Sequence, residues 1–111
     1  RMKILKKVSV LGTEYRIIED NCNNDPLLQN SFGYTDYTSK KIVITDFQKE
    51  EIEIEDVAKY RKQVIRHELI HAFLCESGLH ENCEWHNEEM VDWLAMQAPK
   101  LQKIFKETEY I

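Results

Sequence analysis

The sequence predicts an α+β fold in which a small, mainly antiparallel sheet packs on one long helix, with a second helix beside it. Three observations carry this. The first half holds two pairs of short β-type segments around turn formers; a Gly- and Pro-free stretch follows from Glu55 to Ser77 with apolar residues at helical spacing; and a second helical pattern begins near Asn87. At 111 residues the chain is sized for one hydrophobic core, so residues 1–111 are expected to form a single domain.

Taken in order, Lys6, Val8 and Val10, then Tyr15 and Ile17, belong to segments that alternate about Gly12-Thr13, as two antiparallel strands joined by a tight hairpin do. Asn21 to Asn30 is crowded with turn formers and predicts an exposed loop, with one helical turn at Leu27-Leu28. Phe32 to Tyr37 is expected to pair with Lys41 to Thr45 across Thr38-Ser39-Lys40, because aromatic and β-branched residues favour a pleated, half-buried surface. The long helix carries Val57, Tyr60, Val64, Ile65, Leu69, Ala72 and Phe73, and Gly78 is its natural stop. Apolar residues surround its middle nearly all round, which predicts a largely buried helix. After a polar connection from Leu79 to His86, a second helix presents Met90, Val91, Leu94, Ala95 and Leu101 on one side. Pro99 is expected to kink or split it, leaving a short helix near Lys100 to Thr108.

Composition excludes several classes of function. Net charge is -5, and no run of Lys or Arg exceeds two residues, so the basic footprint of a nucleic-acid binder is missing. No apolar run approaches the roughly 20 residues of a membrane-spanning helix, so no membrane partner is expected. Arg1 to Leu5 runs into Lys6-Lys7 without the apolar region of a secretory signal. Three cysteines, Cys22, Cys75 and Cys83, form an odd set with no C-x-x-C pair, which suits a reducing compartment and predicts a cytoplasmic location. The Glu-dominated run from Lys49 to Asp56 reads as a solvated approach to the long helix, and Trp93 and Met96 read as helix packing.

The segment that carries chemistry is His67-Glu68-Leu69-Ile70-His71. Residues four apart on a helix lie one above the other, so the two imidazoles reach a common point and make a two-point metal chelate. Glu68 lies about 100° round the helix and flanks that point, where a general base for a metal-activated water has to be. Zinc, Zn2+, is the cofactor this pattern predicts, with hydrolysis of a peptide or protein substrate as its reaction. Chance alone yields roughly 0.02 such matches in a chain of this composition, so spacing needs support from context. That context is the apolar surroundings of the motif, since two buried imidazoles need partners. A catalytic zinc also needs a third protein ligand, and Glu88 and Asp92 stand four apart on the second helix.

The two segments together resemble the gluzincins, the thermolysin-like metallopeptidases, in which H-E-x-x-H is followed by a helix carrying N-E-x-x-x-D, here Asn87-Glu88 and Asp92. The resemblance implies a zincin-like fold, Glu88 as third zinc ligand with His67 and His71, Glu68 as catalytic base, and Asp92 as the carboxylate orienting His67. It also implies that the strand from Ser31 to Tyr37 is an edge strand that holds substrate backbone by antiparallel pairing. Size and layout are similar to minimal gluzincins and to phage or mobile-element metallopeptidases of the ImmA/IrrE type, some of which act on repressors. The interval from His71 to Glu88 is short for the family, and no backing helix precedes the sheet. His80, Glu89, His86 and Cys83 remain alternative third ligands, and Cys75 lies one turn beyond His71. Tyr34, Tyr37, Tyr60, Tyr110 and His86 are the candidates to assist a developing oxyanion. A second reading retains the zincin fold as a regulatory protein-binding module without physiological proteolysis, and a third makes the metal purely structural.

Overall fold

The computed structural model describes residues 2–48, 54–80 and 83–111. It is a small α+β fold: strands β1 (Lys3–Val10), β2 (Thr13–Asp20), β3 (Gly33–Asp36) and β4 (Lys41–Thr45) form one sheet, followed by helices α1 (Val57–Glu76) and α2 (Glu88–Glu107). The β1–β2 hairpin turns through Leu11 at φ 49° and Gly12 at φ 89°, the left-handed pair that a right-twisted two-residue turn requires. In the loop that follows, Asp25 accepts a hydrogen bond from the Leu27 amide and starts the single 3₁₀ turn Pro26–Leu28.

Both expected hairpins form, and the sheet order is β1-β2-β4-β3: two of its three pairings are antiparallel, and the sheet is mixed because the hairpins join through β4, parallel to β2 in the register Arg16↔Lys41 through Asp20↔Thr45. The physical reason lies in β4 itself. Ile42, Val43, Ile44 and Thr45 are all buried, so this strand is apolar on both faces and belongs at the centre. The four residues of β3 are half-buried, which suits the edge.

Helix α1 covers one face of the sheet, packing Val64 and Ala72 on Tyr15, Ile17, Ile42 and Ile44. On the other face Ile18, Leu28 and Val43 form a second cluster, closed by the loop and by Cys22. Asp56 caps α1 by accepting from the Lys59 amide. Its far end is a Schellman motif: Gly78, at φ 87°, donates to the Cys75 carbonyl, and the Leu79 amide donates to the Leu74 carbonyl at 2.9 Å. The helix is not buried all round, since Phe73 stays exposed. Most of the charged run before it, residues 49–53, lies outside the described residues. Trp93 and Met96 are exposed rather than packed, because the buried side of α2 runs through Val91 and Ala95.

Pro99 does not split α2, which continues unbroken to Glu107. A proline at this position deprives the carbonyl four residues earlier, that of Ala95, of its helical donor. Arg66 of α1 supplies the replacement, its Nε donating to the Ala95 oxygen at 2.7 Å. The defect in one helix is thus repaired by the other. Among the described residues no helix is long and apolar enough to cross a membrane.

Candidate metal centre

Three elements converge where α1 passes between β3 and the start of α2. His67, Glu68 and His71 lie in the middle of α1, while Glu88 and Asp92 occupy the first turns of α2, which Asn87 caps by accepting from the Met90 amide at 2.9 Å. The strand side is unusually close. A Cβ on Gly33 would stand 3.0 Å from the Val43 carbonyl of β4 and 3.2 Å from Val64 Cγ1 of α1, so the missing side chain eases a close approach of β3 to both. Two residues on along the strand, Thr35 reaches Glu68, one helical turn beyond Val64.

The expected ligands come together. His67 Nε2 and His71 Nε2 are 3.1 Å apart. Glu88 Oε1 is 3.0 Å from the first, and Glu88 Oε2 is 2.9 Å from the second. Among the described residues this is the one group of ligating side chains whose donor atoms all lie within 4.8 Å of one another. Tetrahedral zinc with bonds of about 2.0–2.1 Å spaces its ligands about 3.3 Å apart, slightly wider than these separations, so the set accommodates such an ion with a small outward adjustment. The imidazoles are 15% and 16% exposed while Glu88 is 76% exposed, so the cluster is open on the α2 side.

Behind these atoms stand the partners that aim them. Asp92 Oδ1 accepts from His67 Nδ1 at 2.8 Å, placing the proton there and leaving Nε2 bare toward Glu88. His71 Nδ1 is 2.7 Å from His86 Nε2, and His86 Nδ1 donates to the Leu79 carbonyl. Burial is the largest influence on His71 and pushes its pKa down, favouring the neutral ring, with Glu88 opposing. Glu68 is buried, and that burial holds its carboxyl above the usual carboxylate range, with the Thr35 hydrogen bond and His67 pulling the other way. Thr35 Oγ1 holds Glu68 Oε1 at 2.8 Å, leaving Oε2 turned toward His67 Nε2 at 4.0 Å.

The alternatives do not join the converging group, although His80 and His86 line the same cleft. His80 stacks on Tyr37 with ring centroids 5.3 Å apart. Glu89 and Cys83 lie outside the converging group, and Cys75 lines the cleft beside His71 without joining it. Tyr34 donates its hydroxyl to Asp25, Tyr60 packs edge-on to Phe32 and Phe47, and Tyr110 is exposed at the chain end. Of these candidates Tyr34, Tyr37 and His86 line the cleft, a cavity of about 560 Å³ walled by β3 and floored by His67, Glu68 and His71, and the Tyr34 hydroxyl is committed to Asp25.

Two contributors were not assigned these roles from sequence. Thr35 was readable in principle, because Gly33 and Thr35 share a strand face and a strand's two-residue step of about 6.7 Å nearly matches a helix's four-residue rise of about 6 Å. His86, placed among solvated polar residues and rival ligands, is instead hydrogen-bonded at both ring nitrogens, and no periodicity in its segment marks it. No family model, curated protein or solved structure matches this chain.

Proposed function

We propose that the chain is a zinc-dependent peptidase of the gluzincin kind, with a zincin-like fold in which His67, His71 and Glu88 hold the ion. One observation carries the reading: two imidazole Nε2 atoms and a carboxylate meet at one point, and each imidazole has its Nδ1 engaged by a separate partner. Two bare nitrogens and an anionic carboxylate are a donor set for a divalent cation. Bound there, zinc would supply Lewis-acid polarisation of the scissile carbonyl and acidification of the attacking water.

The remaining chemistry belongs to the chain. Glu68 takes a proton from the attacking water on Oε2 and delivers it to the leaving amine, while Thr35 holds Oε1 and keeps the carboxylate from turning away. Burial raises the Glu68 carboxyl, which brings it nearer to the working range of a base that must also give its proton back. The free side of β3 faces the cleft and offers an extended peptide a backbone to pair with. The layout, a small sheet followed by the two ligand-bearing helices, supports a likeness to minimal gluzincins such as the ImmA/IrrE type from phages and mobile elements.

The test combines metal analysis with a base substitution. Wild type is expected to bind one zinc and cleave a peptide library, and Glu68→Gln to keep the zinc and lose cleavage by at least about 100-fold. Undiminished zinc-dependent cleavage by Glu68→Gln, or zinc closed off by four protein ligands, overturns the proposal.

A further inference from the structure

His71 and His67 are held from behind by different chemistry: an anionic carboxylate for His67, a second imidazole for His71. The second arrangement contains a chain of hydrogen bonds whose direction can be deduced. A backbone carbonyl only accepts, so the contact between His86 and Leu79 O requires the His86 proton to sit on Nδ1. Neutral His86 then has a bare Nε2, which only accepts. His71 Nδ1, 2.7 Å away, must donate to it, and the neutral His71 ring keeps Nε2 bare. That nitrogen faces Glu88 Oε2 at 2.9 Å.

The start of this chain is itself anchored. Leu79 is the residue whose amide closes the Schellman end of α1, so its backbone is held by the same helix that carries His71. The end of α1 thus positions a carbonyl, the carbonyl orients His86, and His86 returns to α1 one turn before the helix ends. His86 also directly precedes the Asn87 cap of α2, so this tether reaches the segment that delivers Glu88.

We propose that His86 is a positioning residue for the metal centre, holding His71 in the Nδ1–H tautomer so that its Nε2 lone pair is presented to the ion. An imidazole in water carries its proton on either nitrogen, and a ring protonated on Nε2 has no lone pair to offer from that atom. The purpose of the device rests on the metal-site reading; the tautomer chain does not, and is readable in metal-free protein.

Long-range ¹H–¹⁵N correlation spectra of the imidazoles, recorded on the full chain at pH 8 with chelator, are expected to show His71 and His86 both protonated on Nδ1. His71 protonated on Nε2 overturns the proposal. A zinc competition titration supplies the second measurement. His86→Leu removes the acceptor and is expected to weaken zinc by about 10–100-fold, the usual effect of losing such a partner, whereas His86→Gln supplies a carbonyl acceptor and recovers most of the loss. Equal loss in both variants assigns His86 a merely space-filling role and overturns the proposal. If His86→Leu fails to fold, the wild-type spectrum decides. Failure to bind zinc in a protein whose His71 proton sits on Nδ1 sinks the metal reading and leaves the tautomer assignment standing.

Discussion

Arg66 and Pro99 are 33 residues apart, yet the structure makes them act on one atom. The Ala95 carbonyl is fully buried, has no helical donor because residue 99 is proline, and accepts from Arg66 Nε at 2.7 Å. A hydrogen bond from a charged donor contributes about 1.5–3 kcal/mol, and leaving a buried acceptor unpaired costs about 1–3 kcal/mol. Arg66→Ala is therefore expected to lose about 2 kcal/mol, a fall of roughly 8–16 °C in Tm for a domain near 100 residues. Pro99→Ala restores an amide that donates to Ala95 within the helix and removes a poor helix former, so it is expected to stabilise. The decisive quantity is the coupling. In the Pro99→Ala background the Arg66→Ala loss should shrink by about 1 kcal/mol or more, because the carbonyl then has its own donor. Urea unfolding of the four proteins, with chelator present to remove metal linkage, measures the cycle. Effects that add to within about 0.5 kcal/mol would refute the claim that the arginine repairs the proline defect.

Glu68 gives a pH-dependent prediction whose sign follows from its raised carboxyl. A carboxyl that holds its proton more tightly folded than unfolded is stabilising when protonated, and its ionisation weakens the fold as pH rises above the unfolded value of about 4.3. With chelator present, Glu68→Gln should be more stable than wild type at pH 7, and the advantage should vanish below about pH 4; thermal melts that show no advantage at pH 7 contradict the burial argument. Gly33→Ala should cost about 1–3 kcal/mol by denaturant unfolding, since the new methyl meets the Val43 carbonyl of β4 at 3.0 Å and Val64 of α1 at 3.2 Å, and a neutral outcome would mean that these neighbours give way freely.

What the sequence made legible was local. The turn at Gly12, the span of α1, its stop at Gly78 and the start of α2 follow from spacing and capping, and the observed elements agree. His67 and His71 share a helix face, so their convergence was dictated by the 3.6-residue period. The meeting with Glu88 and Asp92 is a different matter, because it depends on how α2 folds back, and only the resemblance of the two segments anticipated it. Three features stayed hidden because they are non-local. The parallel pairing of β4 with β2 depends on which strand tolerates apolar surface on both faces, the continuity of α2 depends on a donor from another helix, and the roles of Thr35 and His86 depend on contacts that no period encodes.

The insertion of β4 between β2 and β3 has a consequence for the order in which the chain can assemble. The β1–β2 and β3–β4 hairpins each close through neighbours in sequence and can form early, whereas the parallel joining of β4 to β2 must bridge 20 or more intervening residues. Thr35 sits on the second hairpin, which joins the first only through that long-range pairing, and Glu88 lies beyond every other element of the sheet and α1. The site is therefore among the final things the polypeptide completes during folding, and an ion arriving early meets at most the two histidines of a nascent helix. Tight capture of metal would then serve as a readout of finished tertiary structure, reached only when both ends of the chain have closed around the middle.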